Sequence, residues 1–369
     1  MKTVGIVCEY NPFHYGHVYH IMKVKELYPD SLIVLILSGN FTQRGDASLI
    51  DKWKKCDIAL NYVDLVIELP FVFASQSADL FCMGATDILK ALEVDAFVFG
   101  SECNDLDKFM KIARVQKSDE YNSYVKKYMN LGFNYPTSMS KALNDVYGET
   151  IDSPNDLLGL CYVKNLMDSS VEVRTIKRTN DYLSLNLSGK VSSGTSIREA
   201  LRKGEDIKEY VPLDSYTYLN NVKFIDDYFD LIKYKIISED ISKYQSVDEG
   251  FENRIKKVIN ECENIDELVH KVKSKRYTYN RIRRMLVHIL VGFTKKEASC
   301  LKTEYIRVLG FNKKGRNYLN SIKKRCSLPI ITKLEKNKLL DIEVRVTNIY
   351  NLRKKDDLLS EQKHKPIIH

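Results

Sequence analysis

His14 and His17 flank Gly16 in the run Asn11-Pro12-Phe13-His14-Tyr15-Gly16-His17, directly after the apolar segment Val4 to Cys8. A short apolar segment of this kind reads as a buried strand, so the histidines sit where strand should turn into helix. A helix N-terminus presents unpaired N–H groups and the positive end of the macrodipole, which favours phosphate, and Gly16 lets the backbone approach it. Two imidazoles there add donors beside it. The chemistry expected from these residues is phosphate binding. His20, one turn further on, is either a core histidine with satisfied bonds or a third phosphate contact. A zinc site is disfavoured, because no carboxylate or cysteine recurs at ligand spacing nearby, and no metal-ligating set is assigned. Neither G-x-x-x-x-G-K-[ST] nor G-x-G-x-x-G occurs, which argues against a P-loop NTPase or a dinucleotide oxidoreductase.

Further polar segments follow apolar runs. Ser38 to Asp46 contains Arg44 and precedes Lys52; Gly100-Ser101-Glu102 follows Ala96–Phe99; Lys177-Arg178 follows Val171–Ile176. Ser192-Ser193-Gly194-Thr195-Ser196-Ile197-Arg198 opens a helix. Ser193, Thr195 and Ser196 offer hydroxyls, and Arg198 a guanidinium fork, a combination suited to β- and γ-phosphates. The plainer alternative is a helix capped by Thr195 or Ser196 with a surface arginine. Arg44 and Lys52 are assigned to the co-substrate's carboxylate or to phosphate, against the alternative of simple salt bridges.

The elements that must hold these groups are α/β in order. Strand-like runs at Val4–Cys8, Leu32–Leu37, Leu65–Leu69, Ala96–Phe99 and Val171–Ile176 alternate with helical patterns at about 17–28, 48–61 and 77–92 and a helical insert at about 105–148. Pro154 after Ser153 suits a helix start. This order implies a Rossmann-like, doubly wound parallel sheet that binds ligands at the carboxyl ends of its strands. From about 206 the pattern turns helical, with a strand expected only at Asp341–Thr347. The division expected is therefore a catalytic domain over 1–205 and a mainly helical basic domain over 206–369.

Charge supports that division. Residues 1–210 hold 24 Lys and Arg against 28 Asp and Glu, whereas residues 211–369 hold 33 against 21. Over 271–340 the balance is 20 to 3, a self-repulsion that a polyanion would relieve. Tyr277, Tyr279, Tyr305 and Tyr318 interleave with the cations, as base stacking would require. Nothing resembles a signal peptide or a membrane span, and the eight cysteines lack metal or disulfide spacing, so a cytoplasmic location is expected.

The ordered set Gly5-Ile6-Val7-Cys8-Glu9-Tyr10-Asn11-Pro12-Phe13-His14-Tyr15-Gly16-His17, Ser38-Gly39-Asn40-Phe41, Gln43-Arg44-Gly45, Val66-Ile67-Glu68-Leu69-Pro70, Phe99-Gly100-Ser101-Glu102, Ser153-Pro154-Asn155, Ile176-Lys177-Arg178 and Ser-Gly-Thr-Ser-Ile-Arg resembles the bacterial tRNA(Met) cytidine acetate ligase family, of the HxGH nucleotidyltransferase type. The resemblance spans essentially the whole chain, with tyrosine at position 15 where asparagine is more usual. It implies activation of acetate by ATP, with Mg²⁺ as a charge-neutralising partner, to an acetyl-adenylate. Acetyl would then pass to the exocyclic amine of the wobble cytidine in the anticodon stem-loop of elongator tRNA(Met). It also implies an ATP site formed by Val7 to His17, Val18, Tyr19, His20, Gly100, Asn155 and Arg178. The candidate tRNA contacts are Lys275, Arg276, Arg281, Arg283, Arg284, Lys313, Lys314, Arg316, Lys323, Lys324 and Arg325. A nucleotidyltransferase adenylating a small phosphorylated metabolite, or a non-catalytic RNA-binding protein, are the competing functions.

Overall fold

The computed structural model describes residues 1–151, 153–178, 192–299, 301–353, 358 and 360–369. Its centre is a sheet in which β1 (Thr3–Cys8), β2 (Leu32–Ser38), β3 (Leu65–Leu69), β4 (Ala96–Ser101) and β5 (Glu172–Lys177) run parallel in the order β5-β4-β1-β2-β3. All five expected strands form. Every residue of β2 and β3 is buried, as follows from helices covering both faces of a parallel sheet.

Alternation divides the apolar residues between two layers. Ile33, Leu35 and Leu37 join the core beneath α1 (Tyr15–Leu27), α2 (Lys52–Leu60) and a later helix, Gly194–Lys203. Leu32, Val34 and Ile36 face the opposite core, under α3 (Ala78–Ala91), the insert helices α4 (Leu106–Val115), α5 (Asp119–Asn130) and α6 (Tyr135–Tyr147), and α7 (Pro154–Leu166). That second core runs on without a break into α9 (Phe229–Ser238), α10 (Tyr279–Val291) and α12 (Lys338–Tyr350), where α8 denotes Gly194–Lys203 and α11 Lys313–Ile322.

The second half departs from its helical reading in one respect. β6 (Ile306–Phe311) pairs antiparallel with β3, and β7 (Ile330–Ile331) and β8 (Ile367–Ile368) pair parallel with β6, so this half extends the sheet. Residues 341–347, expected as a strand, lie inside α12, capped by Asn337, which accepts from the Leu339 and Leu340 N–H groups. Its β-branched residues favour a strand locally. Packing decides otherwise, because Leu339, Ile342, Val346 and Tyr350 fall on one helical face and all are buried.

Lys52 does not reach a ligand site. It is 1% exposed, and its Nζ lies 2.5 Å from Glu68 Oε1 and 2.6 Å from Glu361 Oε1, with Glu343 at 3.8 Å. Arg307, near the start of β6, bonds Glu68 and Glu361 from the other side. Two cations thus face three carboxyls. Burial first, then the Glu68 charge, pushes the Glu343 carboxyl up to about 8, whereas Lys52 and Arg307 overcome burial to hold Glu361 near 2. One proton on Glu343 makes the cluster neutral. Glu361 belongs to the last residues of the chain, so the cluster also fastens that segment beneath β3 and α2.

The basic residues of the second half separate. Asn312 donates to Asp64, Tyr318 to the Leu92 carbonyl, and Arg325 to Glu93, so α11 and the turn after it sit at the amino ends of β3 and β4. Lys313, Lys314, Arg316, Lys323, Lys324 and Arg325 are exposed there, at the opposite end of the sheet from the carboxyl edge. The six-residue strand β1 puts roughly 20 Å between those ends.

Replacing Lys52 by Met leaves buried Glu68 and Glu361 without their shared cation. We expect a loss of about 3–5 kcal/mol in urea unfolding; an unchanged midpoint would show that the cluster does not stabilise the fold.

Candidate active site

β1 ends at Cys8, and Tyr10 then takes a left-handed backbone, φ 49°, which is strained for an aromatic residue. Its ring is buried edge-on against Phe13 and His17, at 4.7 and 4.6 Å between centroids. This bend turns the chain so that α1 starts at the carboxyl edge of the sheet. His14 is its N-cap. The His14 Nδ1 accepts from the Gly16 N–H at 3.0 Å, and the His17 Nδ1 accepts from the His14 N–H at 3.2 Å. The histidines therefore form a reciprocal capping box, with rings 4.0 Å apart.

That box settles the tautomers. A backbone N–H can only donate, so both Nδ1 atoms are bare acceptors and each neutral ring carries its proton on Nε2. The rings are neutral, since burial first, then Arg178 and Arg198, pushes His14 down to about 3. Burial, His14 and Arg178 hold His17 well below the ordinary value. His20 is brought to about 4 by burial and Arg178. Its Nε2 has no hydrogen-bond partner among the described residues.

α8 starts against the same spot. A Cβ on Gly194 would lie 3.3 Å from the Asn11 carbonyl and 3.6 Å from His14 Nε2, so the two helix N-termini meet. Ser193 caps α8 by accepting from the Ser196 N–H at 3.1 Å, and the Ser196 hydroxyl donates to the Ser193 carbonyl at 2.9 Å. Those hydroxyls, expected at phosphates, belong to the cap; Thr195 and Arg198 line the crevice instead. Arg198 donates to the Asn11 carbonyl at 2.7 Å and to Thr195 at 3.3 Å.

On the far wall Gly100 and Arg178 pack together, and Glu102 receives Asn155 and lies 3.5 Å from Arg178 Nε. Phe81, Phe99, Leu158 and Tyr162 form an apolar flank that the sequence reading did not include. Of the opening loop, Val7 to Asn11, His14, Gly16, His17, Tyr19 and His20 line the crevice. Pro12, Phe13, Tyr15 and Val18 are not among its lining residues; Phe13 is core and Tyr15 lies at the surface.

The third wall is the turn Thr42 to Asp46. Gln43 N–H donates to Glu9 Oε1 at 2.7 Å, and the Asp46 carboxylate receives Arg283 of α10. Gly45 has φ +77°, and a Cβ there would lie 2.3 Å from the Arg283 carbonyl carbon, so only glycine fits. Arg284 donates to the Gln43 carbonyl at 3.2 Å. Arg283, 6% exposed and also paired with Asp266, therefore clamps the turn and is not a surface nucleic-acid contact. Lys275 and Arg276, both exposed, precede the same helix, and Arg281 lies in its first turn. Lys55 donates to the Glu9, Ser38 and Gly39 carbonyls within 2.9 Å, joining the ends of β1 and β2; burial lowers it to about 7.

The sequence matches the HIGH Nucleotidyl Transferase family model over residues 1–365. A tRNA(Met) cytidine acetate ligase from Caldicellulosiruptor saccharolyticus is 40% identical over 96% of this chain and 95% of the relative, and one from Anoxybacillus flavithermus is 36% identical over 95% and 94%. The crystal structure of apo Thermotoga maritima TmcAL superposes with a TM-score of 0.92 at 30% identity, covering 100% of this chain and 99% of that one. The chain belongs to the tRNA(Met) cytidine acetate ligases of the HIGH nucleotidyl transferase family. A second Thermotoga maritima structure, bound with α-thio ATP, matches this member of the family with a TM-score of 0.88, each chain covered in full.

The neutral histidines have a cost at low pH. Their folded pKa values lie below the unfolded value near 6.5, so the unfolded chain binds protons first and stability falls as pH drops below about 6.5. We expect a lower urea midpoint at pH 5 than at pH 7, with part of the difference lost in the double variant His14→Gln, His17→Gln. A midpoint independent of pH, or an equal difference in the double variant, would contradict neutral imidazoles.

Proposed function

We propose that this chain ligates acetate to the wobble cytidine of elongator tRNA(Met) at the expense of ATP, within the cytoplasm. The observation that carries the proposal is the pair of Nε2–H donors fixed between two helix N-termini. In the first step an acetate oxygen attacks the α-phosphorus and pyrophosphate leaves. Negative charge grows on the α-phosphoryl and leaving oxygens, where His14 and His17 donate without reorganising. Arg198, Thr195 and the start of α8 receive the pyrophosphate. Asn155, Gly100 and Arg178 hold the nucleoside; that the crevice takes a nucleotide at all is supported by the Thermotoga maritima relative bound with α-thio ATP. Mg²⁺ would neutralise charge on the triphosphate, alongside Arg198. Arg44, on the turn clamped by α10, orients the acetate carboxylate.

In the second step the cytosine amine attacks the acetyl carbon and AMP departs. An anticodon-loop base is single-stranded and leaves its stack for a few kcal/mol. The anticodon stem-loop approaches from the side of Lys275, Arg276 and Arg281, which α10 connects to the crevice through Arg283 and Asp46. No helix among the described residues is long and apolar enough to cross a membrane.

The test is acetate-dependent exchange of labelled pyrophosphate into ATP, followed by transfer of labelled acetate to tRNA. Both are expected in the wild type, and His14→Ala or His17→Ala should lower exchange about a hundredfold or more. Exchange indifferent to acetate, with no label on tRNA, would overturn the proposal.

A further inference from the structure

Acetyl transfer needs a proton acceptor, because the attacking amine must lose a proton as its bond to carbon forms. The capping histidines cannot serve: each Nδ1 is engaged by a backbone N–H and each Nε2 already carries hydrogen. His20 is a weak base, near 4. Lys55 is fully enclosed and donates to three carbonyls. Among the described residues two carboxylates line the crevice directly, Glu9 and Asp46, while Glu102 is engaged by Asn155 and Arg178. Arg283 holds Asp46 and overrides burial to keep its pKa below the usual range, which suits a structural anion and not a base.

Glu9 differs. Its Oε1 accepts from Gln43 N–H, its carbonyl is fixed by Lys55, and no hydrogen bond to its Oε2 is made among the described residues. Glu9 is thus anchored at its carbonyl and at one carboxylate oxygen while it lines the crevice. Resting on the ligase reading above, we infer that Glu9 is the catalytic base of the acetyl-transfer step. As the amine nitrogen bonds the acetyl carbon, the bond from that carbon to the phosphate oxygen breaks. AMP leaves with that electron pair, the amine proton passes to Glu9 Oε2, and solvent takes it when the products depart.

The charges around Glu9 are consistent with this task. Burial raises its pKa, and the Gln43 N–H, then Arg44, Lys55 and Arg198, only partly offset it; the neighbouring Cys8 and Tyr162 are themselves pushed up by burial and stay neutral. A carboxylate whose pKa is raised is a stronger base than an ordinary one.

Glu9→Gln keeps an oxygen for the Gln43 N–H and removes the base. The experiment forms acetyl-adenylate on the enzyme from ATP and labelled acetate, mixes it with tRNA(Met), and follows single-turnover transfer against pH alongside pyrophosphate exchange. Transfer is expected to fall at least about a hundredfold more than exchange in Glu9→Gln. The acidic limb of the wild-type transfer profile should vanish in that variant and persist, at reduced rate, in Glu9→Asp. Parallel losses in both steps, or an acidic limb retained in Glu9→Gln, would overturn the assignment. Absence of acetate-dependent exchange in the wild type would instead overturn the ligase reading beneath it.

Discussion

Two hydrogen bonds at the start of α1, from Gly16 N–H to His14 and from His14 N–H to His17, constrain everything else in the crevice. A capping box is ordinarily built from hydroxyl and carboxyl groups. Built from imidazoles, it satisfies orphan backbone donors and at the same time fixes which ring nitrogens face the ligand. The structural cap and the proposed phosphate donors are opposite nitrogens of the same two rings, so the donor geometry is set before any nucleotide arrives. Preorganisation of this kind favours charge that develops during reaction over charge already present in the substrate.

Buried charge keeps the remaining walls in register with that cap. Lys55 ties the ends of β1 and β2 through three carbonyls, and Arg283 ties the Thr42–Asp46 turn to α10. Gly45 admits the α10 backbone so closely that the turn packs directly on the helix. In this way a helix of the basic half forms part of the frame of the nucleotide crevice. The Lys52 cluster performs a comparable service one layer away, joining α2, β3, β6, α12 and the final residues of the chain.

The parallel strands were legible in the sequence because their apolar, mostly β-branched runs are short and bounded by turns, and the crevice followed from polar residues at their carboxyl ends. His14, His17, Arg178 and Arg198 were recognisable on that ground. β6 was not, since Arg307 and Gly310 interrupt its apolar pattern and their reasons are tertiary: an ion cluster around one, Cys56 and Leu60 against the other. Lys52 was misplaced for the same cause, because nothing local distinguishes a ligand-binding lysine from one enclosed by Glu68, Glu343 and Glu361, the last of them 309 residues later. The basic run over 271–340 reads as one surface, yet the fold sends α10 to the carboxyl edge of the sheet and α11 to the amino edge. Charge density is a property of sequence, whereas its direction is a property of topology.

Nitrogen-15 NMR of the histidine side chains in the nucleotide-free protein at neutral pH measures the central claim directly. His14 and His17 should each show one protonated nitrogen, Nε2, with Nδ1 at the shift of a bare acceptor. A proton on either Nδ1, or doubly protonated rings, would contradict the mutual cap and the donor geometry that depends on it.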